Sequence, residues 1–102
     1  MRRLESRDED ILNFIVRDYV RTASPISSGK IFERGTTGTS PATIRNVMLA
    51  LDEEGFLEKP HTSAGRVPTD KAYRYFVNYL MERRAPPRRA RETLDDIFGH
   101  VM

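Results

Sequence analysis

Apolar positions recur along this chain at helical spacing in four places, separated by turn chemistry. From Ser6 to about Thr22, Ile11, Leu12, Phe14, Ile15, Tyr19 and Val20 form a broad apolar face. Ser6-Arg7-Asp8-Glu9 precedes it with the spacing of a capping box, Ser6 and Glu9 in the reciprocal positions. Ser24-Pro25 marks a turn, because the residue before proline resists the helical conformation. Ser27 or Ser28 is then placed to cap a second, short helix carrying Ile31 and Phe32, which Gly35 stops. Thr36-Thr37-Gly38-Thr39 connects it to Ser40.

The stretch from Ser40 to Gly55 has both helix ends written in. Ser40 is suited to cap the first turn, Pro41 to the first helical position, and Gly55 to a left-handed closing residue. Ile44, Val47, Met48 and Leu51 fall at i, i+3, i+4 and i+7 as one buried stripe. The opposite face then carries Ala42, Asn46, Leu49 and Glu53, with Thr43, Arg45 and Ala50 on the flanks. Small, hydroxyl, amide and guanidinium groups at the start of a helix suit the floor of a DNA major groove. Arginine and asparagine there make two-pronged hydrogen bonds to guanine and adenine edges. Short helix, small-residue turn, capped helix is the helix-turn-helix order, with the second helix as the groove reader. Three-helix cores of this order also occur in structural modules, so order alone does not establish DNA binding.

After Gly55 the period changes. Phe56-Leu57-Glu58-Lys59 reads as a short strand, and Arg66-Val67-Pro68 as its return partner, with Pro68 restricting that partner to an edge or a strand end. The turn between them, Pro60 to Gly65, is rich in small and hydroxyl residues, giving a hairpin of the kind called a wing. Thr69 caps a further helix, for which the spacing predicts Tyr73, Phe76, Val77 and Leu80 in the core and Tyr75 and Tyr79 on a flank. Arg83-Arg84-Ala85-Pro86-Pro87-Arg88-Arg89 reads as a stiff hinge. Leu94, Ile97, Phe98 and Val101 follow at helical spacing, a stripe that either folds back or awaits a partner.

Composition narrows the function. At 102 residues the chain is expected to form one ordinary domain. It has no cysteine, and His61 and His100 are too few and too far apart to suggest a zinc site, so no metal or other cofactor is expected. There is no signal peptide and no stretch of bilayer-spanning length, so the expectation is a soluble intracellular protein without membrane association. The net charge of +2 is unevenly spread. Residues 40–58 set Arg45 against Asp52, Glu53, Glu54 and Glu58, a net of −3. Residues 59–89 carry a net of +6, which fits a polyanion footprint. An enzyme is not expected. His61, Thr62 and Ser63 are adjacent, which does not set a nucleophile against a base, and the Gly35–Thr43 region lacks the lysine of a phosphate-binding loop.

Three runs are more specific than this general pattern. Ser40-Pro41-Ala42-Thr43-Ile44-Arg45-Asn46, Leu51-Asp52-Glu53-Glu54-Gly55-Phe56-Leu57, and Pro60-His61-Thr62-Ser63-Ala64-Gly65-Arg66-Val67-Pro68-Thr69 with Tyr73-Arg74 resemble the N-terminal winged-helix domain of the HrcA-type heat-inducible transcription repressors. The likeness runs from about Leu4 to Leu80. It implies a mainly α fold with a small β-hairpin: a winged helix-turn-helix with a three-helix core plus wing, followed by an additional helix and a C-terminal helical tail. It also implies a bacterial, cytoplasmic, homodimeric repressor that binds double-stranded DNA at an inverted-repeat operator upstream of chaperone genes, releases it under heat stress, and needs the GroEL chaperonin. Those repressors are several times longer, with their regulatory and dimerising region after the winged helix. The expected organisation is therefore a DNA-binding domain over 1–82, a hinge over 83–89, and a C-terminal helical segment over 90–102 that opens a dimerisation region.

The expected DNA-binding residues are Ser40, Pro41, Thr43, Arg45 and Asn46 on the reading helix, and Thr62, Ser63, Gly65 and Arg66 in the wing. Arg45 is either a base or phosphate contact or the partner of Asp52 or another acid. Asn46 is either an adenine reader or a surface amide. Arg66 is expected at a phosphate or in the minor groove, with a structural ion pair as the alternative. Leu49 either touches a thymine methyl or packs against the wing. A protein-interaction module that uses the same scaffold, without sequence-specific DNA binding, is the competing functional class.

Overall fold

Ser6–Thr22 forms the long first helix, α1, and the remaining elements pack around it. The computed structural model describes residues 3–35, 38–61 and 64–82. The expected hinge over 83–89 and the stripe of Leu94, Ile97, Phe98 and Val101 lie outside the described residues. Ile11, Leu12, Phe14, Ile15 and Val16 of α1 are buried, whereas Val20, expected on the same face, is exposed in the last turn. The helix closes on Ala23, which takes the left-handed conformation at φ 56° and donates its N–H to the Tyr19 carbonyl.

The capping box expected at Ser6 does not form. Glu5 occupies the N-cap position with no side-chain cap bond, and Ser6 is already helical. Glu9 is buried and is drawn away by partners distant in the chain. It accepts two bonds from the Arg3 guanidinium, at 2.8 and 3.1 Å, and a short one from the Tyr75 hydroxyl. The same hydroxyl accepts the Leu4 N–H at 2.7 Å. A buried carboxylate gains more from charge-assisted bonds than from an exposed cap, which explains the choice.

α2, Ser28–Arg34, begins at Ser27, whose hydroxyl accepts the Lys30 N–H at 3.1 Å. Only Ile31 of this helix is buried, and Phe32 faces outward. Gly35 ends the helix in a right-handed conformation, so its backbone geometry is open to any residue. A Cβ there would lie 2.8 Å from Cγ of Phe14, so glycine is required for close approach of α2 to α1. Asp18 joins the two helices. Its side chain is fully buried, 2.6 Å from Nη2 of Arg21 and 2.7 Å from Nζ of Lys30. Burial alone would push its carboxyl up, but Lys30 and then Arg21 outweigh burial and hold it below its ordinary 3.8.

α3, Pro41–Glu53, follows the expected pattern at every buried position: Ile44, Val47, Met48 and Leu51. Ser40 accepts the Thr43 N–H at 3.2 Å, and Pro41 opens the first turn. At the other end Gly55, at φ +84°, donates to the Asp52 carbonyl, and Phe56 donates to that of Leu51. These two bonds are the Schellman closure, which satisfies carbonyls that the helix leaves open. Phe56 is thereby turned into the core, edge-on to Tyr75 with ring centroids 5.4 Å apart.

β1, Leu57–Glu58, pairs antiparallel with β2, Val67–Pro68, with Leu57 opposite Pro68 and Glu58 opposite Val67. One further bridge joins Ile26, between α1 and α2, to Arg66, with both N–H···O bonds at 2.9 Å. Thr69 then caps α4, Asp70–Tyr75, and its hydroxyl donates to the Gly55 carbonyl at 2.6 Å. The chain continues from Phe76 to Leu80 as a π-helical turn, closed by the Met81 N–H on the Phe76 carbonyl. This turn corrects the expected core stripe. Ala72, Tyr75 and Leu80 are the buried residues, Tyr73, Phe76 and Tyr79 pack at the margin, and Val77 is exposed. In a plain α-helix Tyr79, four residues on, would share the Tyr75 face; the wider turn brings Leu80, five residues on, to it instead.

Candidate nucleic-acid interface

The two elements that would meet a duplex are α3 and the hairpin after it. With its apolar stripe turned inward, α3 leaves Ser40, Pro41, Ala42, Arg45, Asn46, Leu49 and Glu53 exposed. All but Glu53 belong to the N-terminal two-thirds of the helix or its cap. The positive end of the helix dipole therefore leads that surface. Ser40 holds the first turn twice, since its hydroxyl accepts from the Thr43 backbone and donates to the Thr43 hydroxyl at 3.0 Å. Thr43 is half-buried, with its hydroxyl committed to this local pair. Leu49 is 54% exposed.

The acid that competes for Arg45 in the sequence is occupied elsewhere. Asp52 accepts the Nε–H of Arg66 at 2.7 Å, and both side chains are mostly covered, at 25% and 20% exposure. Arg66 also donates from Nη1 to the Ala64 carbonyl at 2.9 Å. Of the wing residues named from the sequence, Arg66 is thus drawn towards α3. Gly65 is buried, where a Cβ would lie 3.0 Å from that of Pro25. Thr62 and Ser63 lie outside the described residues. The structure brings Ser40, Pro41, Arg45 and Asn46 together on one exposed face and puts Gly65 and Arg66 at the base of the hairpin.

The sequence offers Asp52 only as an alternative partner of Arg45 and gives Ile26 and Ala64 no contact of their own, yet these three anchor that base. No local signal marks them, because their bonds to Arg66 and its neighbours follow from the tertiary return of the hairpin. A second anchor was equally silent: Lys71 Nζ donates to the Glu54 carbonyl at 2.6 Å and lies 4.6 Å above the Phe56 ring. Among the described residues no cluster of three or more His, Cys, Asp or Glu side chains is placed to hold a metal ion. Among them, too, no helix is long and apolar enough to cross a membrane.

Comparison with known proteins gives one consistent result. The heat-inducible transcription repressor HrcA of Pelotomaculum thermopropionicum is 47% identical over 92 residues, covering 90% of this chain and 26% of that protein. The repressor of the same description from Beutenbergia cavernae is 57% identical over 76 residues, covering 74% of this chain and 22% of the relative. That from Caldanaerobacter subterraneus is 45% identical, covering 97% and 30%. The chain thus spans less than a third of the length of these curated relatives. The crystal structure of a hypothetical protein superposes with a TM-score of 0.72 at 40% identity, over 78% of this chain and 25% of that one. The family described as winged helix-turn-helix transcription repressor, HrcA DNA-binding, matches residues 3–81, and the chain belongs to it.

Proposed function

We propose that this chain is the sequence-specific, double-stranded DNA-binding part of a heat-inducible transcription repressor, with no catalytic role. α3 enters the major groove by its N-terminal half. Arg45 and Asn46 meet base edges, while Ser40, Pro41 and Thr43 approach the sugar-phosphate backbone at the mouth of the groove. The wing lies along the neighbouring backbone, with Thr62 and Ser63 proposed as its phosphate contacts. Residues 1–82 supply this activity, 83–89 act as a hinge, and 90–102 open a dimerisation region. The full-length protein then acts in the cytoplasm as a homodimer on an inverted-repeat operator of chaperone genes, with any GroEL dependence lying in the remainder of the protein.

One observation carries the reading. The exposed face of α3 pairs Arg45 and Asn46 with small neighbours at the helix start, while every large apolar residue of its stripe is inside. The test is selection of bound duplexes from a random-sequence library, followed by titration of the selected duplex and a scrambled one against salt. Arg45→Ala is expected to cost about 1–3 kcal/mol on the selected duplex and to relax preference at one base pair. Equal affinity for both duplexes in the unmodified chain refutes sequence-specific binding and leaves the protein-interaction alternative.

A further inference from the structure

Arg66 is the one wing arginine, and its guanidinium points back at the protein. Nε is bonded to Asp52 on α3, and Nη1 to the carbonyls of Ala64 and Gly65 at 2.9 and 3.3 Å. Its backbone is bonded in both directions to Ile26. The glycine before it is wedged against Pro25 and Ile26, with 3.0–3.2 Å available to a Cβ. One residue therefore ties the returning strand to the reading helix, to the α1–α2 connection and to its own preceding turn.

The place of the tie on α3 matters. Asp52 follows Arg45 by seven residues, almost two full turns, so the two share a flank about 10 Å apart along the axis. The wing is thus fastened to the flank from which Arg45 projects. If Arg66 left Asp52 for a phosphate, it would strand a partly covered carboxylate beside a polyanion. Kept in place, it neutralises that carboxylate on the side a duplex would approach.

We propose that Arg66 is a positioning residue, fixing the base of the wing to the Arg45 flank of α3 through Asp52, and is not itself a phosphate contact. This rests on the DNA-binding reading for its functional consequence, while the clamp is a property of the free protein. The two roles give opposite results with the same variants. A phosphate contact is served by lysine as a point charge, whereas the clamp needs the fork that reaches Asp52 and Ala64 together. Removing a carboxylate near DNA strengthens binding by simple electrostatics, whereas removing one arm of the clamp weakens it.

The experiment uses the whole 102-residue chain and the library-selected duplex, with thermal melting to show that each variant is folded. Arg66→Ala, Arg66→Lys and Asp52→Asn are each expected to lower affinity about fivefold, and Asp52→Asn with Arg66→Ala no further than either alone. The log–log salt slope of Arg66→Ala is expected to match that of the unmodified chain. A slope shallower by about 0.9 in Arg66→Ala overturns the proposal, as does rescue by lysine or tighter binding by Asp52→Asn. Amide exchange without DNA gives an independent readout. The Ile26 and Arg66 N–H groups of the bridge should exchange several-fold faster in Asp52→Asn, while those of Val47 and Leu51 are unchanged. Unaltered exchange at Ile26 and Arg66 overturns the clamp whatever the DNA result. Failure of the unmodified chain to bind any duplex strikes the DNA-binding reading and leaves the clamp to the exchange measurement.

Discussion

Replacing Asp18 with asparagine keeps the shape of the joint between α1 and α2 and removes its charge. The carboxylate is fully buried and has a cation on each oxygen, Arg21 on Oδ1 and Lys30 on Oδ2. Breaking a buried pair by deleting one partner typically costs about 3–5 kcal/mol, because the other charge is left uncompensated. Here the stranded groups have an exit: Arg21 is 43% exposed and Lys30 24%, so both can turn to water. The amide oxygen also keeps one acceptor, while the amide NH₂ opposes a donor. The expected loss is therefore about 2 kcal/mol, below the fully buried figure. For a domain of this size that lowers the Tm by about 8–16 °C.

The pH dependence sharpens the test. Since Lys30 and Arg21 hold the Asp18 carboxyl below 3.8 in the folded chain, its contribution is complete above the unfolded value. It disappears as pH falls through the folded one. The stability gap between the unmodified chain and Asp18→Asn, measured by urea denaturation, should stay constant from pH 7 to about 5 and close below about 3.8. Adding Lys30→Met to Asp18→Asn should cost little more, because the pair is already broken. A Tm within 2 °C of the unmodified chain (roughly the shift for a few tenths of a kcal/mol), or a gap that persists to the acid limit, would refute the assignment of Asp18 as the α1–α2 joint.

Tyr75→Phe removes a buried hydroxyl that serves both Leu4 and Glu9, and should cost about 2 kcal/mol in urea denaturation with faster exchange at the Leu4 amide; a loss under about 0.5 kcal/mol would contradict it. Gly55→Ala and Gly35→Ala should both destabilise by about 1–2 kcal/mol, for different reasons. At Gly55 the cause is the positive φ, since a Cβ would meet only Lys71 Cδ at an ordinary 3.9 Å, whereas at Gly35 it is collision with Phe14. Phe14→Leu should therefore offset Gly35→Ala and do nothing for Gly55→Ala, and equal behaviour of the two would refute the distinction. If exposed Leu49 meets a thymine methyl, exchanging one thymine of the selected duplex for deoxyuracil should weaken binding about fourfold. The effect should be absent in Leu49→Ala.

What could be read from the sequence was whatever a single helix decides for itself. The cap, the buried stripe and the closing glycine of α3 lie within Ser40 to Gly55, and each was met in the fold. The candidate surface followed, since fixing Ile44, Val47, Met48 and Leu51 inward leaves Arg45 and Asn46 outward. The errors arose where a side chain found a better partner far away. Glu9 has good capping spacing from Ser6, but Tyr75, 66 residues on, takes it. Helical spacing carried through residue 80 puts Tyr75 on a flank, and a π turn changes the face in mid-segment. Arg66 shows a related limit at the candidate site: the sequence leaves it between a phosphate and a structural ion pair, and only the folded hairpin brings Asp52 within reach.

The distribution of bonds along α3 gives the interface a direction. Its C-terminal end is held on every side: Asp52 by Arg66, the Glu54 carbonyl by Lys71, and the Gly55 carbonyl by Thr69. Among the described residues its N-terminal end takes its cap from its own Ser40, and Ser40, Pro41, Ala42, Arg45 and Asn46 there are exposed. A reader helix anchored at one end presents the other, and here that other end carries the positive dipole, Arg45 and Asn46. Asp52, Glu53 and Glu54 lie at the anchored end. Phosphates would be repelled by that acidic end, which biases insertion towards the N-terminal half. Fastening and charge therefore act in the same sense, and the anchoring bonds belong to the proposed recognition surface as much as the groups expected to touch DNA.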